Sequence, residues 1–139
     1  MKVLISLLLI SALVFGSCIF EEADVDYRVG INTTEPIEIS RSELLFLYKG
    51  AIKVIKGNKH VTIFVKPYRN YCQKEMVTYI LGMNFSEFIE SVNRNDNIKV
   101  IRNDILAAMA NTPYSIGILS NTEVYIRGQY DISLLKVIE

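Results

Sequence analysis

The sequence lacks the residue sets that most enzymes and metalloproteins use. Its 139 residues include one histidine, His60, so a metal site built from several histidines is excluded. It has no Cys-x-x-Cys pair, no Gly-x-Ser-x-Gly elbow, no P-loop and no Gly-x-Gly-x-x-Gly turn. Because no nucleophile has an evident base near it, we expect neither an enzyme nor a bound cofactor or metal.

An excess of charge is also missing. The 15 basic and 15 acidic side chains give a formal net charge of zero. A nucleic-acid-binding domain normally carries a clear basic excess, so we do not expect nucleic acid as a partner. Half of the residues are hydrophobic and 22% are charged, which is typical of a globular protein. The length allows one domain of ordinary size.

The first hydrophobic run is too short to cross a membrane. Lys2 precedes an uncharged run from Val3 to Phe15, whereas a membrane-spanning helix needs roughly 20 residues. Two small residues follow, and then Cys18. This order of positive charge, apolar run and small residues is typical of a secretory signal. The sequence therefore predicts that residues 1–17 are a signal peptide and that the protein is exported.

The residues around Cys18 suggest an anchor. Phe15-Gly16-Ser17-Cys18 resembles a bacterial lipobox, although Phe15 replaces the usual aliphatic residue. The resemblance implies that Cys18 is lipidated, that residues 18–26 form the lipidated N-terminus and an acidic tether, and that the protein is anchored to the cell membrane or outer membrane. The alternative is cleavage before Cys18 followed by a disulfide between Cys18 and Cys72, the only other cysteine.

Residues 27–139 predict one domain in which helices alternate with strands. Ser40 and Glu43 form a capping box before a helix over Arg41–Lys49, which Gly50 ends. The other predicted elements are the strand Tyr27–Ile31, a hairpin across Lys56–Lys59 that continues into a strand over 61–65, helices over Asn70–Leu81 and from Asn84 or Ser86 to Val92, the strand Ile98–Ile101, the helix Ile105–Ala110, and strands over Ser115–Leu119, Val124–Arg127 and Leu134–Ile138. This series predicts an α/β fold with a mixed β-sheet flanked by helices.

Basic residues concentrate between Lys49 and Arg69, where they form either the solvent-exposed side of a hairpin or a face that attracts anions. The segment from Lys66 to Tyr71 links a predicted strand to a predicted helix. A helix N-terminus offers free N–H groups and partial positive charge, and ligands of α/β sheets collect at strand ends. We therefore predict a weak anion site formed by Lys66, Arg69 and Asn70.

Four segments, in order, resemble the phosphate-binding proteins of ABC transporters. They are Ile39–Lys53 (like "lsxxeLxxIFlGki"), Val61–Val65 (like the "I-x-x-V-x-R" strand), Leu81–Met83 (like "LGMS") and Thr112–Ile118 (like "TPGAIGYV"). The resemblance implies a type 2 periplasmic-binding-protein fold. It also implies that one lobe is present, because two-lobed members are about twice as long.

The resemblance is weakest where the family binds its ligand. Phosphate binders follow the strand with a loop of the type R-S-D-G-S-G-T, whereas residues 66–72 read K-P-Y-R-N-Y-C. Lys66 stands near the position of the family's arginine, but the Ser, Gly and Thr donors are missing and Pro67 lacks an N–H. We therefore expect weak binding instead of high-affinity capture.

The sequence leaves two functional hypotheses. The first is a membrane-anchored extracytoplasmic solute-binding-like protein that takes phosphate or a similar anion for an ABC transporter, with the transporter's membrane subunits as partners. The second is an envelope lipoprotein that binds no ligand and acts as a protein-interaction module. Aromatic side chains beside basic ones, such as Tyr68 and Tyr71, fit an interface as well as an anion site.

Overall fold

Short runs rich in β-branched and aliphatic residues form the central strands, and capped segments between the strands form the helices. The computed structural model describes residues 29–67 and 77–139. The strands in this part of the chain are β1 (Val29–Ile31), β2 (Glu38–Ser40), β3 (Val54–Ile55), β4 (Lys59–His60), β5 (Thr62–Val65), β6 (Ile98–Val100), β7 (Ser115–Ile118), β8 (Ser133–Leu134) and β9 (Lys136–Ile138). The helices are α1 (Arg41–Lys49), α2 (Phe85–Arg94), α3 (Ile105–Ala110) and α4 (Asn121–Ile126), with a π-helical segment at Val77–Leu81 and a 3-10 turn at Arg127–Tyr130.

Five strands form a mixed sheet in the order β6-β5-β7-β1-β8. Strand β5 is parallel to both β6 and β7, whereas β1 is antiparallel to β7 and β8. The residues that follow β5, β6 and β7 therefore share one edge of the sheet, which we call the carboxyl edge. Because Val29 pairs with Ile118 at the end of β7, β1 starts at this same edge. The predicted mixed sheet flanked by helices is confirmed.

Helices cover both faces of this sheet. Alternate residues of β5 point to opposite faces: Ile63 and Val65 join one hydrophobic cluster, and Phe64 joins the other. The larger cluster packs against α1 and α2 through side chains such as Leu44 and Phe88. The smaller one contains apolar residues of α3 and of the crossover that follows β7. Burial of both faces explains why the central strands contain few polar residues.

Local capping sets the helix ends. The Ser40 hydroxyl accepts a hydrogen bond from the Glu43 N–H at 3.0 Å, and α1 ends at Gly50 in the left-handed region (φ 78°), so the predicted bounds of α1 are confirmed. Asn84 caps α2 by accepting from the Glu87 N–H at 2.9 Å. Helix α3 has the predicted bounds, Ile105–Ala110, with Asp104 as its cap.

The predicted strand over Val124–Arg127 is wrong, because these residues belong to α4 and the turn after it. A capping box between Ser120 and Glu123 starts a helix there and overrides the strand preference of the β-branched side chains. The predicted strand over Leu134–Ile138 is divided between β8 and β9. The predicted helix over Asn70–Leu81 lies partly outside the described residues, and its last five residues are π-helical.

The glycine that ends α1 provides a test of packing between the ends of α1 and α2. A Cβ at Gly50 would lie 2.1 Å from Asn95 Oδ1, whereas a Cβ at Gly82, which also has positive φ (69°), meets no atom within 4 Å. We expect Gly82→Ala to cost about 1 kcal/mol of unfolding free energy through backbone strain, and Gly50→Ala about 3 kcal/mol through strain plus the clash. Urea unfolding measures both, and equal losses would contradict the clash.

Candidate functional site

Lys66 is the predicted site residue that the described structure contains. It directly follows β5 and therefore lies on the carboxyl edge, between the ends of β6 and β7. In open α/β sheets this edge is where ligands bind. Arg69 and Asn70, the other predicted anion-site residues, and Cys18, the predicted lipidation site, lie outside the described residues and remain predictions.

The Lys66 ammonium is paired with a carboxylate. Lys66 Nζ donates a hydrogen bond to Glu123 Oε1 and forms a salt bridge with it. The two side chains are only 20% and 18% exposed, so water screens this pair less than an ordinary surface pair. Glu123 belongs to α4, which follows β7, the direct neighbour of β5. The pair therefore ties the ends of two parallel strands together.

Glu123 has a second role at the start of α4. Its Oε1 accepts a hydrogen bond from the Ser120 N–H at 2.8 Å, while the Ser120 hydroxyl accepts from the Glu123 N–H at 3.3 Å. One carboxylate oxygen thus receives both a backbone N–H and the Lys66 ammonium. Sequence reasoning missed Glu123, although the Ser-x-x-Glu spacing of a capping box was the signal that could have found it.

Other polar groups border the carboxyl edge near β6. Arg102 is exposed and follows β6, so it lies on this edge as a further cation that the sequence analysis did not single out. Asp104 accepts a hydrogen bond from the Tyr130 hydroxyl at 2.8 Å, which with the carboxylate charge raises the pKa of Tyr130. Tyr125 on α4 is 88% exposed. The edge thus combines cations with carboxylates, and α4, which starts there, carries an exposed aromatic ring.

The remaining lysines of the basic cluster lie elsewhere. Lys56 is in the exposed turn between β3 and β4. Lys59 lies with its Nζ 5.5 Å from the ring centroid of Tyr114, which directly precedes β7, so the hairpin lies towards the opposite edge of the sheet. Lys53 bonds to Asp96 at 2.9 Å and holds the pKa of that carboxyl below its ordinary value. The structure therefore separates Lys66 from the hairpin lysines.

Two other titratable side chains are not part of this edge. His60 is exposed in β4. Tyr48 is fully buried against Phe88, and its hydroxyl has no hydrogen-bond partner among the residues that the structure describes. Burial raises the pKa of Tyr48, so this side chain stays neutral. Within residues 29–67 and 77–139, no three His, Cys, Asp or Glu side chains come together as metal ligands would. In the same part of the chain no helix has the length and apolar character needed to cross a membrane.

Comparison with solved structures gives the class of protein that has this fold. The chain is similar to PstS from Borrelia burgdorferi (12% identity over 87% of this chain and 55% of that one, TM-score 0.59). It is similar to a phosphate ABC transporter substrate-binding protein with bound phosphate from Clostridium perfringens (15% identity over 82% of this chain and 48% of that one, TM-score 0.60). It is also similar to an ABC-type phosphate transport receptor from Vibrio cholerae (12% identity over 79% of this chain and 45% of that one, TM-score 0.60). No family model and no curated protein matches the sequence.

The chain therefore has the fold found in phosphate ABC transporter substrate-binding proteins, and it spans about half the length of the three solved chains. At these identities the likeness establishes the fold alone. The fold expectation, which the sequence motifs implied, is confirmed.

The Lys66–Glu123 pair should measurably stabilise the domain. A double-mutant cycle with Lys66→Met and Glu123→Gln should give a coupling energy of about 1 kcal/mol, because the pair is mostly shielded from water. Glutamine keeps an oxygen that can accept from the Ser120 N–H, so the cap survives. The matched cycle uses Lys53→Met and Asp96→Asn, whose side chains are 46% and 86% exposed, and should give a smaller coupling. Equal coupling energies from urea unfolding would contradict the shielding.

Proposed function

We propose that residues 27–139 form a single-lobe, extracytoplasmic binding module of the phosphate-binding-protein type. It binds phosphate or a similar small oxyanion weakly at the carboxyl edge, through Lys66, Arg69 and Asn70. The observation that carries this proposal is the position of Lys66 at the end of a central parallel strand, in a fold shared with a chain that has phosphate bound. The transporter's membrane subunits are the partners that we propose for this module.

Two features support weak binding. Oxyanion sites gain strength when the ligand is shielded from water, and a single lobe leaves its edge open to solvent. The Glu123 carboxylate beside Lys66 also cancels part of the positive charge. We therefore expect a dissociation constant of roughly a millimolar, or about 4 kcal/mol of binding free energy.

We also propose that residues 1–17 are a signal peptide and that the module is exported and held at the membrane by lipid on Cys18. Because β1 begins at the carboxyl edge, the chain that leads from Cys18 joins the lobe on the side where Lys66 lies. The residues between Cys18 and Val29 span at most about 3.3–3.6 Å each. This connection supports a site that works close to the membrane surface, where transporter subunits are found.

Anion binding can be tested by NMR titration of the full-length protein in a non-ionic detergent. Phosphate should shift amide resonances around Lys66 and Ser120 with a dissociation constant of roughly a millimolar. Lys66→Met and Arg69→Ala should each weaken binding severalfold, because each removes a cation from the site. Lys56→Met, which removes an exposed lysine from the hairpin turn, is the control and should leave binding unchanged.

Two results would count against this site. Binding that all three variants retain would remove Lys66 and Arg69 from it. Equal weakening by Lys56→Met would show attraction to net charge and no defined site.

The anchor has its own test in intact-mass spectrometry of the protein purified from membranes. Acylation at Cys18 should add the mass of a diacylglyceryl group, with or without a further acyl chain, and Cys18→Ser should release the protein from the membrane fraction. A soluble product whose mass falls by two hydrogens through a Cys18–Cys72 disulfide would support the alternative and contradict the lipid anchor.

The Lys66–Glu123 pair and the exposed Tyr125 also favour a second candidate function, a protein-interaction module that binds no anion. Tyrosine is enriched at protein interfaces, and a ring that is 88% exposed is available to a partner. A photo-cross-linking residue at position 125 should capture a specific envelope protein in intact cells. The same residue at Phe46, exposed on α1, is the control position. Capture of transporter subunits would instead support the first function.

A further inference from the structure

The carboxylate of Glu123 occupies a coordination position that an anion bound to Lys66 would need. Its Oε1 receives the Lys66 ammonium and the Ser120 N–H, which are the two kinds of donor that oxyanion sites use. An anion that binds Lys66 must therefore either displace this carboxylate or sit directly beside it. In both cases the negative charge of Glu123 opposes binding.

We propose that Glu123 is an intramolecular competitor that sets the affinity and the charge selectivity of the Lys66 site. This inference rests on the proposed anion-binding function. Because the Ser120 N–H and the capping box hold Glu123 in place, the carboxylate stays at the site when Lys66 turns towards a ligand. A bound anion then lies next to a fixed negative charge.

This arrangement discriminates between anions by charge. Competition for Lys66 weakens every anion by the same factor, whereas Coulomb repulsion from Glu123 is twice as large for a dianion as for a monoanion at the same distance. Glu123 should therefore disfavour sulfate more than nitrate. Sulfate and nitrate are the probes of choice because, unlike phosphate, neither changes its protonation near neutral pH.

The test compares Glu123→Gln with the original chain by NMR titration of the full-length protein in a non-ionic detergent. Glutamine removes the charge and keeps an oxygen for the Ser120 N–H. We expect sulfate to bind about five to ten times more tightly to Glu123→Gln, and nitrate to gain less. The matched control is Glu87→Gln, which removes the same charge at the equivalent third position of α2, where Glu87 bonds to Asn84. The sulfate and nitrate affinities of Glu87→Gln should equal those of the original chain.

Two further results separate the competitor from the site itself. The double variant Lys66→Met with Glu123→Gln should not show the increased sulfate affinity of Glu123→Gln, because the ammonium with which Glu123 pairs is then absent. If Glu123→Gln binds anions no more tightly while Lys66→Met still weakens binding severalfold, the role of Glu123 as a competitor is disproved and the proposed function stands. If neither the original chain nor Glu123→Gln binds any anion, both the proposed function and this inference fail. Urea unfolding of each variant checks that the domain remains folded.

Discussion

The parallel pairing of β5 with β7 is the constraint on which the rest of this structure depends. Strand β7 lies between β5 and β1, and all four of its residues are buried. Such a strand cannot shift by one residue without exchanging the faces of its side chains, because successive side chains point to opposite faces of a sheet. The pairing therefore fixes where both strands end, and with them Lys66 and the start of α4.

The electrostatics of the carboxyl edge follow from this geometry. A residue after β5 and a residue in the first turn after β7 must lie near each other, so a lysine and a glutamate at these places form an ion pair. The pair neutralises a cation at the position where this fold offers a ligand site. The edge is consequently less attractive to anions than its lysine alone would indicate, and its properties depend on how firmly the capping box holds Glu123.

The sequence predicts those features that arise from neighbouring residues. The bounds of α1 follow from its cap, Ser40, because a cap acts within three residues. For α3 the sequence offers Asn103 or Asp104 as the cap, and the structure has Asp104. The strand predicted over Val124–Arg127 failed because its β-branched pattern was weighed without the capping box that precedes it. The Lys66–Glu123 contact could not be predicted, because its partners are 57 positions apart and meet only through the pairing of β5 with β7.

The share of the solved chains that this chain matches bears on how strongly the carboxyl edge can bind a ligand. The part of this chain that matches the solved chains covers about half of each of them. A ligand held at the carboxyl edge by one lobe alone remains in contact with water on one side. Its interactions with the charges of the lobe are then screened over roughly 8–10 Å at ordinary salt concentrations. The side chains of Lys66 and Glu123 are about four-fifths buried, so their ion pair competes well against a ligand that remains in contact with water. A second surface that excludes water would strengthen binding at this edge, and an anion held there by Lys66 would either displace Glu123 or lie beside its negative charge.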